Sequence, residues 1–355
     1  MAPVPAPSLA ALALKATGCE VHDVWAHNLD EEFAALIASA SAGLDAASDG
    51  GGVILAFDVE FPGFLRQEPR TGVRAVRYQV LRENVDRLRP IQLGVAVAGR
   101  DGALRGVWSF NLQFDVDVDL HTAKSVDFLR AAGIDFPRHA AEGIEAGALG
   151  QLLAGSQLVG WHERAPWWVA FAGFYDFGYL LRMLTSEKLP QNFGGFDVSL
   201  ASFCPKRHDL RDELPHGSLD SLARKHGIPR RGLAHTAGSD ALLTLELFLT
   251  VAGSKFAELQ AHPQQAQPES SSGWWSSSGV LEEMQKSRGN WWGGTSAGGV
   301  DDAWDAQTMW YQGAQQQPQP SLAAWGQAWA GEHWGCGWEF GTPLVPTTAI
   351  PLMPR

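Results

Sequence analysis

The sequence predicts an α/β protein: a mixed β-sheet flanked by helices, followed by a disordered C-terminal tail. Three observations predict it. Short apolar runs bounded by turn residues come early, at residues 53–61, 91–99 and 107–114. Longer runs with helical spacing dominate afterwards, and early strands followed by helices pack as one sheet with helices on both faces. The composition then changes beyond His262, where HPQQAQPESSSGWWSSSG and QGAQQQPQPS carry few aliphatic residues to build a core.

The elements follow in order. Residues 1–20 open with prolines, make a poor signal peptide and lack the arginines of a transit peptide, so they read as a disordered leader. Residues 29–44, LDEEFAALIASASAGL, form an amphipathic helix with Asn28 as its N-cap. Residues 53–61 follow a glycine cluster and read as a buried strand. The next two strands, 91–99 and 107–114, are joined across Asp101–Gly102, a hairpin-turn dipeptide. Helices are expected around 125–132 and 147–153, a strand at 156–161, and helices at 175–184, 218–226 and 239–251. The organisation is therefore a leader at 1–20, one domain at 21–260 and a Gln/Pro/Gly/Trp-rich tail at 261–355.

The formal net charge of the 355-residue chain is -12, which excludes a global basic field for nucleic acid and leaves metal-assisted hydrolysis open. Three widely spaced cysteines fit neither a disulfide framework nor a zinc site, and point to a reducing compartment, cytoplasm or nucleus. No uninterrupted apolar stretch of about 18 residues is present, so no membrane span is expected. Phosphate loops of the P-loop type and Gly-x-Ser-x-Gly elbows are also missing.

Chemistry concentrates in three segments. In FDVEFPG, Asp58 and Glu60 stand at i and i+2 of a strand and project from one face. Two acids side by side at the end of an apolar strand repel each other and are costly to desolvate; a hard cation relieves both costs. Asp176 opens an apolar helix in YDFGYLL, and Asp240 opens another in HTAGSDALLT. His235 lies five residues before Asp240, in a loop, with an ordinary pKa near working pH and thus suited to act as a base. Taken singly, each segment has a plain reading: a solvated strand end, a helix-terminal acid, a surface histidine.

Together the chain resembles the Caf/Pop-type deadenylases, the catalytic DEDDh exonuclease subunit of the eukaryotic CCR–NOT deadenylation complex. VWAHNLDEEF, FDVEFPG, YQVLRENVDRLRPIQLGVA, WSFNLQF, FLRAAGIDFPRH, YDFGYLL and HTAGSDALLT are similar to that family's segments, in its order, from about residue 24 to 250. The resemblance implies an RNase H-like fold and 3′-to-5′ removal of nucleotides from mRNA poly(A) tails. By matching position, Asp58, Glu60, Asp176 and Asp240 would hold two divalent ions, Mg²⁺ or Mn²⁺. His235 would be the general base, and 5′-AMP the product. The scaffold and second nuclease subunits of that complex are the implied partners. The chain departs from the family at FAGF before Tyr175, at an inserted HERAPWW, and loosely over residues 203–217.

Among the arginines after the first acidic strand, Arg66, Arg70, Arg74 and Arg77 are expected to meet RNA phosphates from a loop, against the plainer reading of solvated charge. Ten of the 15 tryptophans lie from Trp274 onward, spaced by Gly, Ser and Gln. They resemble segments that dock into pockets of Argonaute-type proteins or of other subunits of the deadenylation machinery, against the plainer reading of compositional bias. Two other functions stay open: a non-catalytic adaptor bridging deadenylation subunits, and a DEDDh exonuclease with another nucleic-acid substrate.

Overall fold

The computed structural model describes residues 21–45, 53–68, 73–99, 101–162 and 164–251. Its centre is a six-stranded sheet in the order β1-β4-β3-β2-β5-β6. The strands are β1 (Val21–Val24), β2 (Ile54–Glu60), β3 (Gln92–Ala98), β4 (Leu104–Asn111), β5 (Trp167–Ala170) and β6 (Arg207–Asp209). Strands β2, β3 and β4 are antiparallel neighbours, while β1 joins β4, β5 joins β2 and β6 joins β5 in parallel. The sheet is mixed, as predicted.

Strand β3 is buried at every position and β2 at all but Asp58, which explains why both read as unbroken apolar runs. Alternation then assigns the faces of β2. Leu55, Phe57 and Val59 enter one core with residues of α1 (Leu29–Asp45), α2 (Arg74–Val85), α5 (Ala146–Ala154), α6 (Phe174–Thr185) and α7 (Phe193–Phe203). Ile54 and Ala56 enter the other with α8 (Leu219–Lys225) and α9 (Ala237–Val251). Asp58 and Glu60 continue the second row, toward α9. Two further helices, α3 (Ala123–Ala131) and α4 (Phe136–Glu142), contribute to a small core that closes on Ile91 and Phe114.

Some expectations need correction. Asn28 is not the N-cap: the chain enters α1 through a 3₁₀ turn, Ala26–Asn28. The Asn28 side chain reaches back to accept from the Trp25 N–H at 2.7 Å. Residues 156–161 form turns, not a strand, because Ser156 Oγ bonds the Leu153 carbonyl and takes the Leu158 N–H. The strand comes later, as β5, which starts at the last two residues of the HERAPWW segment that reads in sequence as an insertion. The arginine-rich stretch from Arg74 is helix α2, whose buried face is Tyr78, Leu81 and Val85. Its arginines hide that stripe from a hydrophobicity reading. Strand β1, α4 and α7 are too short or too weakly patterned to be read in advance. Among the described residues no helix is long and apolar enough to cross a membrane.

Candidate metal centre and active site

Three elements deliver four carboxylates to one cleft, each by a separate device. Strand β2 supplies Asp58 and Glu60 from its last turn of pleat. Strand β5 pairs with β2 only as far as Ala56, so the β2 edge beyond it is open. The N–H of Val59 on that edge donates to Asp176 Oδ1 at 2.8 Å, which draws the first turn of α6 against the strand. The loop entering α6 is itself clamped. Ala172 holds a left-handed backbone with φ 55°, a strained state for a residue with a Cβ. Its N–H and that of Gly173 donate to the two oxygens of buried Asp209 at 2.7 and 2.8 Å.

Helix α9 carries Asp240, and two glycines let it approach. A Cβ on Gly94, the partner of Asp58 in the sheet, would lie 2.0 Å from the Ala237 carbonyl oxygen. A Cβ on Gly238 would lie 2.1 Å from Ser109 Oγ. With both glycines bare, the helix start packs directly on β3 and β4. Buried Gln92 completes the seat by accepting the Ala237 N–H at 2.8 Å and donating to Asn111 at 2.8 Å. Carboxylate oxygens of Asp58, Glu60 and Asp240 then lie within 4.8 Å of one another. Asp176 and His235 line the same cleft, beside an apolar wall of Phe61, Phe64, Phe171 and Tyr175.

The electrostatics favour a cation. Asp58 and Glu60 accept no hydrogen bond among the described residues. Burial pushes both carboxyls well above the usual range, and repulsion from Asp176 and Asp240 adds to it. Burial also raises Asp176 to about 7, against the Val59 hydrogen bond that lowers it. This donor set, all carboxylate oxygen and close-packed, fits hard divalent ions such as Mg²⁺ or Mn²⁺. His235 takes a left-handed backbone at φ 62° and packs its ring on Phe128, centroids 4.5 Å apart. Burial lowers its pKa more than Asp240 raises it, so the ring is held neutral and able to accept a proton.

The arginines arrange themselves differently from expectation. Arg77 is not a phosphate contact on a loop: it lies buried in α2, with Nε 3.0 Å from Glu68. Burial strips the guanidinium of water, and the Glu68 carboxylate offsets part of that cost. Arg66 is exposed and bonds both oxygens of Glu83 at 2.6 Å, and Arg74 lies over the Phe193 ring at 5.2 Å. Arg70 and the tryptophan-rich tail lie outside the described residues. Among the described residues the arginine lining the cleft is Arg230, which bridges Asp220 and Asp240. Its role is not legible in the sequence, nor are those of Asp220, Asp209 and Gln92. Gln92 lies within the segment YQVLRENVDRLRPIQLGVA but, like the other three, shows its role only through a partner in another element.

The model of the CAF1 family ribonuclease matches residues 54–145. A probable CCR4-associated factor 1 homolog 10 of Arabidopsis thaliana is 35% identical over 250 residues, covering 66% of this chain and 86% of that protein. The chain belongs to the CAF1 ribonuclease family. The poly(A) ribonuclease pop2 of Schizosaccharomyces pombe is 32% identical over 246 residues, covering 66% of this chain and 70% of that one. Among solved structures, S. pombe Pop2p in its Mg²⁺- and Mn²⁺-bound form superimposes with a TM-score of 0.60 at 32% identity, over 66% of this chain and 93% of that chain. A yeast CAF1 chain co-crystallised with the NOT1 MIF4G domain gives 0.52 at 27% identity, over 71% and 92%. The mixed, helix-flanked sheet is thus the RNase H-like fold of this family.

Proposed function

We propose that this ribonuclease is a poly(A)-specific 3′-to-5′ exoribonuclease that shortens mRNA tails and releases 5′-AMP. The observation that carries the reading is the convergence of Asp58, Glu60 and Asp240 within 4.8 Å, in a cleft shared with Asp176 and His235. The relative named a poly(A) ribonuclease supports the substrate.

Asp58, Glu60, Asp176 and Asp240 would hold the two divalent ions, and a Pop2p structure with Mg²⁺ and Mn²⁺ supports that pair of metals. When bound, such ions supply an activated water and charge stabilisation for the leaving 3′ oxygen. The chain supplies the rest. His235, kept neutral by burial and fixed against Phe128, takes the water's proton on a ring nitrogen. Phe64 and Phe171 line the cleft beside the acids with apolar surface. Exposed Arg66 and Arg74 remain the candidates for phosphate contacts farther along the RNA. A NOT1-type scaffold is the proposed partner, supported by the co-crystallised CAF1 relative. Both cytoplasm and nucleus are the proposed compartments.

The test is a time course on 5′-labelled RNA ending in oligo(A), with Mg²⁺ or Mn²⁺, beside the Asp58→Asn protein and an RNA without the A tail. The expected result is a ladder shortening from the 3′ end, selective for A and lost in the variant. Equal shortening of both RNAs would leave the nuclease and remove the poly(A) specificity. No shortening with either metal would favour the adaptor reading.

A further inference from the structure

Arg230 is bound on two sides at once. Its Nε and Nη2 take both oxygens of Asp220 at 2.6 and 2.9 Å, a forked pairing that fixes the plane of the guanidinium. Its Nη1 donates to Asp240 Oδ1 and, at 3.1 Å, to Ser239 Oγ. The Ser239 hydroxyl proton is already used on the Arg231 carbonyl at 2.7 Å, so its oxygen is free to accept. Arg230 and Asp240 are largely buried, with side-chain exposures of 15% and 11%. The arrangement engages one oxygen of Asp240. The other, Oδ2, accepts no hydrogen bond among the described residues and is left for a ligand in the cleft.

We propose that Asp220, Arg230 and Asp240 form an outer-sphere triad: Asp220 orients the guanidinium, and the guanidinium orients Asp240 so that its second oxygen meets the metal. Arg230 and Asp220 are then positioning residues, and the inference rests on the reading of Asp240 as a metal ligand. Ligating carboxylates generally depend on such outer partners. A lysine cannot replace the arginine, because a single ammonium does not span both carboxylates in fixed planes. The clamp also closes the loop from Arg230 to Asp240, which holds His235 at its strained φ. The competing account is that Arg230 is a counter-charge that occupies the acidic cleft in place of metal. The two accounts predict opposite signs. Removing a mere counter-charge strengthens binding of a divalent cation, whereas removing a positioning residue weakens it.

The experiment titrates Mn²⁺ calorimetrically into the full-length protein and its Arg230→Gln, Arg230→Lys and Asp220→Asn variants, with melting in EDTA and steady-state kinetics on oligo(A) RNA. The expected result for Arg230→Gln is Mn²⁺ affinity weaker by about 10- to 100-fold, the range typical of lost outer partners. Arg230→Lys is expected not to restore it. In Asp220→Asn the metal-free melting should stay near wild type, Mn²⁺ affinity should fall, and kcat should drop with KM for RNA little changed. Unchanged or tighter Mn²⁺ binding in Arg230→Gln overturns the proposal in favour of the counter-charge. A rise in KM alone, with wild-type Mn²⁺ affinity, overturns it in favour of a phosphate contact. Should Arg230→Gln fail to fold, Asp220→Asn decides on the same criteria. If the wild type itself takes up no Mn²⁺, the metal-centre reading fails first and the triad with it. If the wild type binds and the variants bind equally, only the triad fails.

Discussion

Asp209 and the Asp58–Glu60 pair are carboxylates at strand ends near one cleft, and they differ in what faces them. Asp209 accepts three backbone N–H groups, from Ala172, Gly173 and Arg211, at 2.7, 2.8 and 3.0 Å. Asp58 and Glu60 accept none among the described residues, and each faces other carboxylates instead. Burial raises all three: Asp209 to about 6 against its hydrogen bonds, Asp58 and Glu60 well above the carboxylate range with repulsion added. The difference separates two uses of a buried acid. A carboxylate whose lone pairs are filled by the backbone is a fastening, and its removal harms the fold. Carboxylates packed together without donors strain the fold until a cation arrives, and their removal harms only the chemistry.

The comparison breaks or sharpens at four points. The largest effect is on catalysis. Asp58→Asn is expected to lower the rate of RNA cleavage about 1,000-fold or more, since metal-assisted stabilisation is worth several kcal/mol. Its metal-free melting temperature should rise, and Mg²⁺ should raise it less than it raises the wild type. A lower melting temperature in EDTA would show that Asp58 fastens the fold after all. Next comes Asp209→Ala, which leaves three backbone N–H groups, two of them buried, without an acceptor and should cost about 3–5 kcal/mol in urea unfolding. A cost no larger than that of Asp58→Ala would erase the distinction.

Gly94→Ala should cost about 1–3 kcal/mol by overpacking against Ala237. Because α9 carries Asp240, the same substitution should weaken Mn²⁺ binding, measured by calorimetry. Destabilisation with wild-type Mn²⁺ affinity would mean the helix shifts without moving the ligand. The smallest effect is on pH dependence. Asp176 has a folded pKa of about 7 against an ordinary value of 3.8. As pH falls through 7, the folded protein takes up a proton there while the unfolded chain stays ionised. Metal-free stability is therefore expected to rise by about 1 kcal/mol from pH 8 to pH 6. Saturating Mg²⁺ should abolish the gain by holding the carboxylate ionised, and Asp176→Asn should lose it. Denaturation at the two pH values, with EDTA or Mg²⁺, measures it; a gain that persists in Asp176→Asn would assign it to another group.

The sequence by itself determined the class of the fold and the identity of the clustered acids. Both are written locally: β2 and β3 are apolar runs whose burial needs a sheet, and the Asp-x-Glu spacing puts two carboxylates on one face of a strand whatever packs above it. Asp176 and Asp240 are legible as acids opening apolar helices. What only the tertiary structure decided is everything that depends on a partner in another element. Arg77 looks from the sequence like a cation for RNA, yet Glu68 and the packing of α2 bury it. Arg230 lies in an unremarkable loop, and becomes part of the cleft because Asp220 and Asp240 flank it in space. Gly94 and Gly238 matter because one backbone must approach another more closely than a Cβ allows, and Asp209 because it faces a strained loop from the neighbouring strand. Periodicity and spacing report what a residue does within its own element. Charge pairing and close approach are set by which elements meet, which the chain specifies only once it has folded.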